Sequence, residues 1–311
     1  MMKRTVLRWI VPVATLFAVA SGGNAQLTYS SGQVVPPAYE GWQKNADGTF
    51  RMLFGYMNAN WEEEIDVAVG PGNSIMPGGP DQGQPTHFLP RRNRFIFWVT
   101  VPKDFGQKEL VWTLTTQGRT LKAYGTLRQD YMVDDMVFTS ETGAIGAGVS
   151  NPEIRRNKPP VLEPVGDTVR TVKVGQPLKL STIATDDGIP KVRVRGDQDD
   201  RIATRLGIGD LREIPPRQVT VGSSTGFWVS CVVYRAPGKV TITPDQVKPW
   251  EDTRAGANSQ WAPRWVAPPV PAGNKWEATA TFDEPGTYVL RWHASDGALT
   301  TDQDIKITVT K

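Results

Sequence analysis

Apolar residues in this chain come in short runs, rich in β-branched and aromatic side chains and cut off by turn formers, while helical spacing is nearly absent. Runs of that length and make-up suit strands, which bury one face with alternate residues, and the 30 Gly and 25 Pro of the 311 residues supply the punctuation between them. Strands are predicted at Thr49 to Asn58, Glu63 to Val69, Arg94 to Val101, Glu109 to Thr116 and Thr120 to Leu127. Alternation is clearest in Phe95, Phe97, Val99 and Val101, expected on one face, with Ile96, Trp98 and Thr100 on the other. The expectation is an all-β protein of two β-sandwich domains.

The first residues read as an export signal. Lys3, Arg4 and Arg8 form a basic head, Trp9 to Ala20 is apolar, and Ser21 to Ala25 ends in small residues suited to cleavage, so the mature chain is expected to start at Gln26. An apolar run of about 12 residues is short of the ~20 that a spanning helix needs, and no later segment approaches that length. The layout expected is a signal peptide over 1–25, a first sandwich over 26–127, a Gly/Pro-rich linker over 128–159 and a second sandwich with long insertions over 160–311.

Removing the leader changes the electrostatic picture. The chain has 35 Lys and Arg against 32 Asp and Glu; the leader takes three of the cations, leaving a balance. A nucleic-acid partner calls for a basic face, and the one dense cluster, Arg91, Arg92 and Arg94, reads as the solvated start of a strand. Cys231 is the only cysteine, so no internal disulfide forms and packing must supply the stability. It shares a strand face with Phe227, Val229 and Val233, as a core thiol would.

The second half carries a resemblance. NKPPVLEPVGDTVRTVKVGQPLKLSTIATDDGIP, VVYRAPGKVTITP and ATATFDEPGTYVLRWHASDGALTTDQDIKITVT resemble bacterial extracellular immunoglobulin-like domains of the PKD or cadherin-like kind. Pro285-Gly286 turns the chain into a strand on which Tyr288, Leu290, Trp292 and Ala294 alternate inward, and Asp296-Gly297 returns it to the last strand. Insertions between Pro190 and Phe227 and between Trp250 and Lys275 depart from that pattern. In the first half, GWQKNADGTFRMLFGYMNANWEEEIDVAVGPGN and DQGQPTHFLPRRNRFIFWVTVP resemble the amino-terminal half of a family of secreted bacterial proteins with no established activity, which implies secretion and a sandwich.

Candidate sites are few. Two histidines, His87 and His293, are too sparse for most hydrolase or metal chemistry, and alternation points His293 outward as an ordinary surface side chain. His87 lies in QPTHFLPRR, next to the Gly/Pro-rich stretch from Gly70 to Pro90, a connection long enough to be functional or mobile. Glu62, Glu64 and Asp66 fall on one strand face, as a charged outer surface would, and do not form a catalytic carboxylate pair. GAIGAGVSNP follows no strand and opens no helix, so it is not a nucleotide loop. The calcium that a cadherin-like resemblance brings to mind has candidate ligands in Asp186-Asp187, Asp197 to Asp200, and Asp296 with Asp302 and Asp304; none completes a ligand loop, turn-forming Asp is the favoured reading, and no cofactor or metal is expected.

Trp250, Trp261, Trp265 and Trp276 cluster in the second insertion, where they can cover the sandwich or meet a ligand. Binding candidates are therefore His87, Arg91, Arg92 and these four tryptophans, with no catalytic residue assigned. The expected function is a non-enzymatic binding or scaffolding role in the periplasm or outside the cell, directed at a protein partner, with no nucleic acid and no membrane span. The alternatives are a carbohydrate-binding module using the tryptophan-rich insertion on polysaccharide, and a hydrolase.

Overall fold

The computed structural model describes residues 30–141, 152–191, 226–247, 249 and 267–311. Their first portion holds β1 (Pro37–Lys44), β2 (Phe50–Asn58), β3 (Ile65–Asp66), β4 (Asn73–Met76), β5 (His87–Phe88), β6 (Arg91–Val101), β7 (Leu110–Thr116) and β8 (Arg119–Gly125). A short helix, α1 (Asp135–Glu141), follows. The rest holds β9 (Val161–Pro164), β10 (Val169–Lys173), β11 (Leu178–Thr185), β12 (Trp228–Arg235), β13 (Val240–Thr243), β14 (Lys275–Phe282), β15 (Gly286–Ser295) and β16 (Thr300–Thr310). The all-β expectation holds: sheet β1-β2-β6 faces sheet β4-β7-β8 in the first sandwich, and β10-β16-β15-β12 faces β13-β14-β11-β9 in the second. No helix among the described residues is long and apolar enough to cross a membrane.

The first core is aromatic. Met52 and Phe54 of β2 and Phe97, Val99 and Val101 of β6 point inward against Trp112 of β7, which is fully buried. Phe97 meets Trp112 edge-on at 5.0 Å between ring centroids, and Phe54 stacks on Phe97 at 5.4 Å. Each such ring contributes about 2–3 kcal/mol by leaving water. Buried asparagines satisfy the backbone where strands are too short to do so. Asn73 donates from Nδ2 to the carbonyls of Val67 and Pro85 and accepts the Trp112 indole N–H at 3.0 Å.

Phe95 breaks the predicted alternation. Phe54 pairs with Phe97 and Tyr56 with Asn93, so Gly55 alone faces Arg94, Phe95 and Ile96, a bulge that needs φ of 53° at Phe95. The ring leaves the core and packs on Phe138 of α1, 4.2 Å between centroids. Gly55 is required here, because a Cβ would run into the Asn93 carbonyl oxygen. The strand predicted from Glu63 shrinks to Ile65–Asp66, paired with His87–Phe88.

The second core follows its pattern closely. Tyr288, Leu290, Trp292 and Ala294 are buried with Ile305, Ile307 and Val309 of β16, and Cys231 joins them with its thiol pushed up to about 12 by burial. The Asp296 carboxylate closes the β15–β16 turn, its Oδ1 accepting the N–H groups of Ala298 and Leu299 at 2.5 and 2.7 Å. Burial pushes that carboxyl up to about 7, in spite of the hydrogen bonds it accepts.

The stretch from Gly70 to Pro90 is neither loose nor bare. Gln82 Nε2 donates to the carbonyls of Ile75, Pro77 and Gly79, and the fully buried Gln84 donates to that of Pro80 at 2.6 Å. Its outer side receives the second sandwich. The Thr86 N–H donates to the Tyr234 carbonyl at 3.2 Å, the Ala236 N–H to Thr86 Oγ1 at 3.2 Å, and Arg235 holds Asp81 through both terminal nitrogens while Nε donates to the Gln84 carbonyl. Tyr234 is the keystone of this junction. A register shift between Val233 and Arg235 re-aims it out of its own sheet into the first core, where it is 5% exposed and donates to the Gly83 carbonyl.

Candidate functional site

Where the sandwiches meet, a cleft with about 110 Å³ of accessible space opens between the bulged start of β6 and the outer face of sheet β12-β15-β16. Arg94, Phe95 and Ile96 form one lip, with His87 and Leu89 behind them; Trp228, Val232, His293, Ser295 and Asp302 form the other. Loops and bulges at a domain junction are common ligand sites because they place side chains on a rigid frame.

The second wall is built by strand register. Arg291 pairs with Asp304 and His293 with Asp302 across β15 and β16, all four on the face turned away from the second core. Arg291 Nε donates to Asp304 Oδ1 at 2.6 Å and Nη2 to Oδ2 at 2.9 Å, while Nη1 donates to the Ile96 carbonyl of the first sandwich. Its guanidinium lies 3.6 Å from the Tyr234 ring centroid. Burial opposes the charge on Arg291, but Asp302 and the other neighbours hold it firmly protonated. His293 Nδ1 donates to Asp302 Oδ1 at 2.6 Å, and the Trp228 ring lies 5.4 Å from its own. Burial alone would raise Asp302; the charges of Arg291 and His293 outweigh it and keep the carboxyl below its usual range. His293 is thus not the exposed side chain expected from alternation, because the face it points to is covered by the first sandwich.

His87 is clamped on the first wall. Nδ1 meets Asp66 Oδ1 at 2.8 Å and Nε2 meets Glu64 Oε2 at 3.1 Å, so both ring nitrogens face carboxylates. Burial lowers its pKa, but the two hydrogen bonds and charges prevail and push it up to about 9, making it an imidazolium at neutral pH. The acidic face predicted at Glu64 and Asp66 has this histidine as its counter-ion.

The basic cluster is not a solvated strand start. Arg91 is 7% exposed, at φ of 62°, with Nη1 donating to the Ala59 carbonyl at 3.1 Å. Arg92 forms an ion pair with Glu40 and donates to the Tyr56 carbonyl at 3.1 Å. Both close the backbone around the bulge, and Arg92 also lines the cleft. Trp276 is partly buried in the second sandwich, edge-on to Phe227 at 6.2 Å, and does not line the cleft. Trp250, Trp261 and Trp265 lie outside the described residues.

The acidic residues weighed for calcium have local duties. Asp186 and Asp187 accept the N–H groups of Gly188 and Ile189 at 2.8 and 2.9 Å, Asp296 caps its turn, and Asp302 and Asp304 hold Arg291. Asp197 to Asp200 lie outside the described residues. Among the described residues, no three His, Cys, Asp or Glu side chains converge as metal ligands would.

The reading from sequence gave no role to Trp228, Tyr234 and Arg291, and weighed Asp302 only as a calcium ligand. One signal was available: Arg291 and His293 two apart on one strand, Asp302 and Asp304 two apart on the next, with the four residues Asp296–Leu299 making the turn between them. That spacing puts cation against anion on the face opposite the core, where only a covering domain gives the pairs a buried role.

Comparison with protein families and with curated proteins finds no match. Among solved structures, domains 4 and 5 of the S-layer protein SbsC align at 8% identity over 66% of this chain and 66% of that one, with a TM-score of 0.23. A longer piece of the same S-layer protein aligns at 8% identity over 89% of this chain and 28% of its own length, TM-score 0.23. The D00–D0 domain of intimin aligns at 9% identity over 88% of this chain and 100% of its own, TM-score 0.22. Scores at this level carry no argument about what this chain does.

Proposed function

We propose that the protein is an exported, non-enzymatic binding protein of the cell envelope or exterior, whose two sandwiches form one rigid frame that presents the cleft between them to a protein partner. The observation that supports this reading most is the junction itself. The stretch from Gly70 to Pro90 is taken up in docking the second sandwich, so recognition falls to the surface that docking creates, with its bulged lip Arg94–Ile96 and the wall of Trp228 and His293. Strained, irregular backbone held by a well-packed scaffold is where binding sites concentrate.

The test is a photo-crosslinking amino acid in place of the exposed, cleft-lining Thr300, with a control at the exposed Lys173. One dominant protein adduct in cells from position 300 and none from 173 is the expected result. Retention on polysaccharide with no protein adduct would move the assignment to the carbohydrate-binding alternative.

A further inference from the structure

We propose that the open edge of β6, Phe97–Val101, is a strand-addition site for an extended segment of the protein partner that carries an acidic residue; the inference rests on the protein-binding reading above. In the order β1-β2-β6, β6 has β2 on one side and no described strand on the other. The upstream half of that edge is closed, since the bulge at Arg94–Ile96 breaks the ladder and Arg291 takes the Ile96 carbonyl. Over Phe97–Val101 the ladder to β2 is regular again, and no hydrogen bond from another element reaches the strand among the described residues.

The other edges of these sheets are protected. β8 carries Arg119 and Lys122, β10 carries Arg170 and Lys173, and β9 carries Glu163 and Pro164. β4 and β13 are four residues long, with Ile75 of β4 also bonded to Pro80 and Gln82; β12 is covered by Thr86, and β1 carries Glu40 and bridges to Met132 through Trp42. Phe97-Trp98-Val99-Thr100-Val101 has neither charge nor proline. Unguarded edges of this kind pair readily with another strand, so proteins that leave one open do so where pairing is wanted or tolerated.

The outer face names the kind of strand that fits. Phe97, Val99 and Val101 belong to the core, leaving Trp98, 49% exposed, and Thr100 to touch a neighbour on the outside. Arg51 on β2 reaches over Trp98, 5.5 Å from its ring centroid, and bonds to Gln43, with no carboxylate partner among the described residues. An incoming acidic side chain beside Trp98 supplies one. A second copy of this chain fits worse, because antiparallel β6–β6 pairing sets two Arg51–Trp98 stacks side by side on one face, cation near cation.

The experiment uses the whole protein and three synthetic nonapeptides. One alternates Thr and Val with Glu at its centre, the second has Lys for Glu, and the third has two prolines. Hydrogen exchange of the Phe97–Val101 amides is followed as each is titrated, with Trp98→Lys and Arg51→Glu variants checked for folding by circular dichroism. The expected result is protection by the Glu peptide, roughly five-fold weaker binding of the Lys peptide, none by the proline peptide, loss in Trp98→Lys, and reversal of the Glu–Lys preference in Arg51→Glu. No protection at saturating peptide overturns the proposal, as does protection indifferent to charge. Protection without peptide, together with a dimer in sedimentation, overturns it in favour of a second copy. A protein adduct at position 300 with an unprotected edge defeats this inference alone; a protected edge with no adduct defeats the cleft reading alone.

Discussion

The two sandwiches solve the same packing problem in different ways. The second uses regular alternation: one residue in two is buried from Tyr288 to Ala294 of β15 and from Ile305 to Val309 of β16, the register runs unbroken from Gly286 to Ser295, and an Asp-capped turn closes the hairpin. The first uses large rings, a three-residue bulge in β6, four buried asparagines and a short β3–β5 pair. It also borrows Tyr234 from its neighbour to complete its core. A regular sandwich stands on its own pattern, whereas an irregular one leaves gaps that another element must fill, and here the filling element locks two domains together.

The sharpest way to break that comparison is Tyr234→Ala. It empties a site in the first core, removes the bond to Gly83 and leaves Arg291 without its ring, so we expect a loss of about 3–5 kcal/mol in denaturant unfolding. We expect the docked wild-type protein to unfold in one transition and the variant in two, with the first sandwich melting earlier. One unsplit transition at the wild-type midpoint would mean the first core is complete without its neighbour. Asn73→Ala probes the asparagine framework inside the first sandwich. It strands two backbone carbonyls and the Trp112 indole, so about 2–3 kcal/mol should be lost, with no change in Cys231 protection from thiol reagents if the second core is independent.

His87 makes the junction wall sensitive to pH. Its folded pKa of about 9 lies above the ordinary 6.5, so its stabilising contribution is complete below pH 6.5 and is lost as the pH rises through 9. We expect about 1–3 kcal/mol between pH 6.5 and 10, reduced from the full shift because Glu64 and Asp66 are half-exposed. His87→Gln should flatten the urea midpoint over that window; an unaltered slope would assign the pH dependence elsewhere. The smallest effect expected is for Arg235→Ala, about 1 kcal/mol, since its partner Asp81 is half-exposed. Its signature is faster hydrogen exchange at Thr86 and Ala236 without a shift in either core.

Much of the second sandwich was legible because strand alternation is a local property. Tyr288, Leu290, Trp292 and Ala294 declare their face by spacing alone, and Asp296-Gly297 declares the turn. Phe95 did not follow its neighbours, since a bulge depends on what lies opposite, here Gly55 with no Cβ and the Phe138 ring. Arg91 and Arg92 looked solvated because charge is normally exposed; Glu40 and the Ala59 and Tyr56 carbonyls, distant in sequence, make their burial tolerable. His87 was singled out from its setting between turn formers, although its clamp of Asp66 and Glu64 came from a strand read only as a charged surface.

The sequence by itself determined the all-β class, the inward face of the closing hairpin and the buried place of Cys231, because period-two burial and turn chemistry act over a few residues. Tertiary structure alone decided that the stretch from Gly70 to Pro90 is a dock, that Tyr234 belongs to the other domain's core, and that His293 and Asp302 face a cleft. Those outcomes depend on which outer face meets which neighbour. Outer-face spacing says what points away from a core, and only the docked partner determines whether water or protein lies there.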